Sequence, residues 1–184
     1  MTARDAAASV GDADAVLLDA LSAELIALYG STRALVAVDA ADDRAALAFA
    51  RSWRASLSGL GHRSAVLRAG ALEDAEEFRV SVVRPYRAGR TPEGDAAPAV
   101  EPGWDAVGAA PDAAAVLLVA GGRLLRPALR DLWHYSVRLD TPGDASPGPE
   151  ERAYAAASEP RRAASAVVDA TTAATPRRLY LDAC

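Results

Sequence analysis

The chain has 184 residues, 20 basic and 25 acidic side chains, a net charge of −5, 51% hydrophobic residues and a mean hydropathy of +0.03. These values fit one soluble domain with a single core. Every basic residue is Arg, and Lys, Asn and Gln are absent, which excludes lysine Schiff-base chemistry and a lysine phosphate clamp. Alanine supplies 46 residues, so the apolar fraction overstates the bulky side chains available for packing.

The arginines are scattered and the balance is acidic, which argues against a nucleic-acid partner, since that needs a basic stripe. The one cysteine, Cys184, cannot form an internal disulfide, and no Cys/His cluster suggests a metal. No run of about 18 apolar residues predicts a membrane span, and residues 1–13 lack the charged-then-apolar order of a signal peptide. A cytoplasmic protein is the expectation.

Val16, Leu17, Leu21, Leu25, Ile26 and Leu28 recur at helical spacing from Asp14 to Tyr29, and Gly30 follows as a C-cap. Ala34-Leu35-Val36-Ala37-Val38-Asp39 is a short continuous apolar run ending in an acid, the pattern of a strand buried on both faces. Arg44 to Leu57 is again helical, with Ala46, Leu47, Ala50, Trp53 and Leu57 on one side and Asp42 or Asp43 placed as its cap. Ser64 to Arg68 reads as a second strand, which completes a βαβ unit. Residues 85–112 are rich in Pro, Gly, Asp and Ala and predict an irregular segment. Ala115 to Gly121 is the clearest strand, followed by a short helix from Leu124 to Trp133, a strand from Ser136 to Asp140, a loop from Thr141 to Pro149, a helix from Glu150 to Ala157 and a strand from Ser165 to Asp169.

Strands alternating with helices predict an α/β, three-layer, open and mostly parallel sheet of about five strands. The expected organisation is one domain over 1–184: an N-terminal helix in 1–30, an α/β core in 31–170 and a C-terminal tail in 171–184.

The loop after the first strand is where such a sheet would bind phosphate, because the following helix start offers free N–H groups and partial positive charge. The pattern G-x-x-x-x-G-K-[ST] laid over this junction falls on Ala40-Ala41-Asp42-Asp43-Arg44-Ala45-Ala46-Leu47. Both glycines are alanines (Ala40, Ala45), Ala46 stands at the lysine position and Leu47 at the magnesium-binding hydroxyl. The added methyl groups disfavour a backbone anion nest. Loss of the lysine and the hydroxyl removes a charge on the phosphates and a ligand to magnesium. Asp42 and Asp43 add negative charge, and Arg44, two residues before the lysine position, is expected to point elsewhere.

The chain resembles the uridine kinase and phosphoribulokinase group of P-loop kinases, in the version common in high-GC actinobacteria. Besides Leu35 to Leu47, the resemblance rests on Tyr86-Arg87-Ala88-Gly89-Arg90-Thr91-Pro92-Glu93-Gly94 and most strongly on Ala115 through Trp133. Ser136 to Pro142 and the stretch from Glu151-Arg152-Ala153-Tyr154 to Asp169 add to it. It implies a P-loop NTPase-like, nucleoside kinase-like fold, and it also marks the departures. The family's acidic segment after the second strand is replaced by Arg68-Ala69-Gly70-Ala71-Leu72-Glu73-Asp74, with Glu73 and Asp74 out of register. Ala120 stands at the acid of the third strand, Asp95-Ala96-Ala97 follows Pro92-Glu93-Gly94, and a short loop from Gly143 to Pro149 stands where the family has its arginine-bearing lid.

The expectation is a catalytically inactive pseudokinase without a cofactor, its binding of ATP-Mg absent or weak, serving as a binding or assembly protein toward a small molecule or a protein partner and able to form a homo-oligomer; the alternatives are an enzyme using the old substrate cleft for non-kinase chemistry on a small molecule and a residual nucleoside kinase. Tyr86, Arg87, Arg90 and Arg152 are the candidate ligand-binding residues. His134 and Tyr135 are the candidates for proton transfer, since His titrates near neutrality. Each of these groups also has a packing or solvated-surface reading, as do Trp53, Trp104 and Trp133.

Overall fold

The computed structural model describes residues 3–69, 74–90, 104–108, 112–171 and 176–180, with the side chains of 3–14, 105, 106, 143 and 145 left aside. Six strands form one sheet: β1 (Arg33–Ala40), β2 (Ser64–Arg68), β3 (Ala115–Gly121), β4 (Tyr135–Asp140), β5 (Ala166–Asp169) and β6 (Arg177–Leu179). Their order across the sheet is β2-β3-β1-β4-β5-β6. All pairings are parallel except β5 with β6. The sixth strand corrects the expected five and falls in the stretch read as a tail. It is short, and the ion pairs of Arg177 with Asp169 and of Arg178 with Glu24 hold it on the edge.

The continuous apolar runs follow from burial on both faces. Val36, Val38 and Ala40 of β1 join Leu118, Ala120, Val137 and Leu139 on one face, against Leu21 and Leu25 of α1 (Ala3–Tyr29) and Ala46, Ala50, Trp53 and Leu57 of α2 (Asp43–Gly59). Leu35 and Ala37 join Leu67, Leu117 and Val119 on the other, against Phe78, Val82, Tyr86, Leu124, Leu129 and Tyr154. Successive residues of a strand point to opposite faces, and the two cores make three layers.

The second face is built from α3 (Ala75–Phe78), a π-helical turn over Arg79–Val83, α4 (Arg84–Arg87) and α5 (Trp104–Gly108). The π turn ends where Pro85 enters α4; proline has no N–H to donate and crowds the carbonyl four residues earlier, which favours a wider turn. Leu124 to Trp133, expected as a short helix, is instead a 3-10 helix over Pro127–Leu132. The last helices are α6 (Pro149–Ser158) and α7 (Pro160–Ala163). Residues 91–103 and 109–111 of the segment expected to be irregular, residues 70–73 with Glu73, and Cys184 lie outside the described residues.

Candidate functional site

Parallel pairing brings the carboxyl ends of β1, β3 and β4 to one edge, where open α/β sheets bind ligands. A cleft of about 800 Å³ opens there. Its walls come from the loop after β1 (Ala41, Asp42, Asp43, Arg44), the end of β2 (Arg68), the loop after β3 (Gly122, Arg123) and the start of α6 (Gly148 to Glu151).

The loop after β1 satisfies its own backbone. Asp42 has extended dihedrals and caps α2, its carboxylate accepting the Arg44 N–H at 2.9 Å. The Asp43 carboxylate accepts the Gly122 N–H at 2.8 Å, which ties the loop after β1 to the loop after β3. Gly121, just before, has no room for a side chain, since a Cβ there would stand 2.8 Å from the Ala69 carbonyl oxygen. Ala40 and Ala46 are fully buried, Ala45 is half-buried, and Leu47 packs against the core below α2. Arg44 is exposed at the start of α2 and is one of the residues of the cleft wall.

Glu151 links this lining to a buried network. Asp39, at the end of β1, is fully buried and faces Arg138 across the parallel β1–β4 register. One Asp39 oxygen accepts the Leu124 N–H at 2.8 Å. The other accepts from Arg138 Nη1 at 2.8 Å and from the Tyr154 hydroxyl at 3.1 Å. Arg138 Nη2 then reaches Asp144 at 2.5 Å and Glu151 at 2.9 Å. Desolvation opposes the Arg138 charge, but Asp39, Asp144 and Glu151 outweigh it and hold its pKa above the ordinary value. Burial raises the Asp39 carboxyl, offset in part by Arg138 and by the Leu124 and Tyr154 donors. A second cleft of about 550 Å³ lies beyond Glu151 and includes Asp140, whose carboxylate pairs with Arg161 at 3.3 Å.

The other candidates gather at the opposite end of the sheet. Tyr86 is fully buried, and its hydroxyl is shared between the carbonyls of Ala34 at 3.0 Å and Ala115 at 2.7 Å, at the amino ends of β1 and β3. The Arg33 guanidinium stacks 4.6 Å from the centre of its ring. The Tyr86 pKa is raised by burial. Arg87, the last residue of α4, and Arg90, beyond it, are exposed, and Arg87 lowers the pKa of His134 by its charge. His134 Nδ1 accepts the Leu35 N–H at 3.0 Å, a bond that requires an unprotonated Nδ1. Tyr135 is buried against Trp53 and lies opposite Val36, about 13 Å along the sheet from the level of Ala40 at 3.3 Å per residue. His134 and Tyr135 therefore pack the amino end of the sheet, away from the cleft. Arg152 is exposed on α6 and donates to the Pro147 carbonyl, outside the cleft lining.

Asp39, Arg138, Tyr154 and Glu151, together with Arg68 and Arg123, were not singled out from the sequence. One signal was available: Arg138 is a charged residue inside an apolar strand, which in a sheet buried on both faces calls for an acid on the neighbouring strand. Among the described residues no group of His, Cys, Asp and Glu is arranged to hold a metal ion, and no helix is long and apolar enough to cross a membrane.

With this geometry in view, the chain superposes on a solved structure of a possible uridine kinase from Bacillus stearothermophilus with a TM-score of 0.61, over 83% of this chain and 97% of that one, at 16% identity. The fold is P-loop kinase-like. A proposed fructose transport system kinase from a Silicibacter species matches with a TM-score of 0.46 over 79% of this chain and 91% of the other, at 22% identity. No protein-family model and no curated protein matches the chain.

Proposed function

We propose that this kinase-like chain has lost the phosphate-binding loop for ATP and serves as a catalytically inactive binding or assembly protein. The observation that carries the proposal is the pair of aspartates in the loop after β1. Asp42 takes a free N–H of the α2 start and Asp43 takes the Gly122 N–H, so protein carboxylates occupy donors at the place where a phosphate chain would need them. The alanines at the glycine and lysine positions and the leucine at the hydroxyl position add to this: Ala46 and Leu47 belong to the core side of α2 and bring neither a charge to the phosphates nor a ligand to magnesium. A triphosphate entering the cleft would meet Asp42, Asp43 and Glu150 at its wall.

Binding is favoured over a purely structural role by the cleft itself, which is open rather than filled with side chains. Non-kinase chemistry on a small molecule is the second reading, and the same open cleft supports it; it would draw on the cleft residues, since His134 and Tyr135 stand at the far end of the sheet. The test is incubation of the purified protein with ATP-Mg and a panel of nucleosides. No transfer of the terminal phosphoryl group above the protein-free background is expected, and stoichiometric turnover that disappears on mutation of Arg44 would overturn the reading.

A further inference from the structure

The two edges of the sheet are finished differently. β2 is buried from Ser64 to Leu67, although no strand lies beyond it among the described residues. β6 has no buried residue, and its outer side likewise carries no described strand. An open edge offers unpaired N–H and C=O groups to a further strand, and charged side chains are a common means of keeping one away. Here both guarding charges are engaged within the chain. Arg177 pairs with Asp169 at 3.2 Å, and Arg178 donates to both carboxylate oxygens of Glu24 on α1. Two large apolar side chains stand exposed beside them. Tyr180, just after β6, is 83% exposed, and its ring centre lies 5.6 Å from the Arg178 guanidinium. Leu28 is 60% exposed, one turn beyond Glu24 on the same side of α1.

A strand added to this edge must match it in backbone and in side chains. In an antiparallel pair, residues opposite each other both turn their backbone groups toward the partner or both away from it. Two copies of one strand related by a two-fold axis therefore pair about a residue and never between two. Pairing about Arg178 would set that arginine against its own copy, a like-charge pair. Pairing about Leu179 sets leucine against leucine and places Arg178 opposite Tyr180 of the second copy, on both sides of the axis. A guanidinium attracts the face of an aromatic ring, and Arg178 can take the ring while keeping Glu24. Arg178 and Tyr180 alternate with Leu179 and so share the face of the sheet that α1 covers. Pro176, which has no N–H, closes the ladder at its start. A ladder this short falls below the roughly 1,200 Å² that a stable pair buries, and the exposed Leu28 extends the contact onto α1.

We infer that the protein pairs with a second copy of itself through the β6 edge. The two sheets run on as one across a two-fold axis at Leu179, with Arg178 against Tyr180 and Leu28 of α1 beside them. The inference rests on the reading of the chain as an assembly protein and names its partner and surface. The order of cation, leucine and aromatic ring is complementary to itself only in the antiparallel sense, which selects a second copy over an unrelated strand.

The test is sedimentation equilibrium of the full chain over a concentration series. A monomer–dimer equilibrium is expected. Y180D and L28D, both at exposed positions, should each raise the dimer Kd at least tenfold, while V80D, exposed in the π turn on the other face of the sheet, should leave it unchanged. Circular dichroism spectra that match the parent protein would assign the loss to the interface. A second arm reads the register in a C184S background. Residues facing each other across an antiparallel pair stand about 4.5–5.5 Å apart at Cα, within reach of a disulfide, so L179C should cross-link two chains under mild oxidation and V80C should not. A monomer at every concentration, a dimer that both Y180D and L28D leave intact, or a dimer without the L179C cross-link would overturn the inference and leave the loss of ATP binding standing. ATP-Mg turnover would instead overturn the function proposed above.

Discussion

Replacing Arg138 by leucine removes the cation shared by three carboxylates. The side chain is 4% exposed and Asp39 is 0% exposed, so the pair is shielded from solvent rather than screened at the surface. Removing one partner of such a pair leaves the other buried and uncompensated, at a cost of about 3–5 kcal/mol. A domain of this size gains or loses roughly 2–4 °C of Tm per kcal/mol, so R138L should melt about 6–20 °C below the parent protein. The double variant R138L/D39L replaces the pair with apolar groups and should recover much of the loss, because the unpaired charge goes with it. Thermal melts followed by circular dichroism at neutral pH measure both. A melting temperature for R138L within 2 °C of the parent, or a double variant less stable than the sum of the single ones, would refute the reasoning.

Three further outcomes follow from the same geometry. Burial, and then the Arg87 charge, lower the His134 pKa below its ordinary 6.5. The neutral ring is favoured in the folded state, so this contribution to stability is complete above pH 6.5 and is lost as the pH falls through the lower folded value; an NMR titration midpoint at or above 6.5 would contradict it. The Tyr154 hydroxyl accepts the buried Leu125 N–H at 3.1 Å and donates to Asp39, so Y154F leaves that N–H without its acceptor, removes one of the donors to Asp39 and should cost about 1–3 kcal/mol in denaturant unfolding. G121A forces a methyl within 2.8 Å of the Ala69 backbone oxygen and should destabilise by roughly 1–3 kcal/mol, read as a lower denaturation midpoint with an unchanged slope.

The central strands were legible because a parallel sheet covered on both faces selects unbroken apolar runs, as in Ala34 to Val38 and Ala115 to Ala120. α2 was equally plain from its spacing and its Asp42 cap. β6 was not, because a three-residue edge strand with two arginines carries little apolar pattern and is held by ion pairs to Asp169 on the neighbouring strand and to Glu24, 154 residues away in the chain. α1 begins at Ala3 rather than Asp14, since the alanine-rich start has high helix propensity but no apolar stripe to reveal it. The loop after β1 was readable position by position. Its partner Gly122 was not, since the Asp43 contact depends on how β1 and β3 are aligned in register. The same holds for Asp39 and Arg138, 99 residues apart in sequence and adjacent only once β4 lies beside β1.

The most direct measurement of the central claim is the melting temperature of the protein over a series of ATP-Mg concentrations. A ligand held at a hundred times its Kd adds about 2.7 kcal/mol to the folded state, which in a chain of this length raises Tm by roughly 5–10 °C. With Asp42 and Asp43 occupying the donors after β1, no shift is predicted up to millimolar ATP-Mg. A saturating rise of that size, abolished by mutation of the loop from Ala40 to Leu47, would contradict the account.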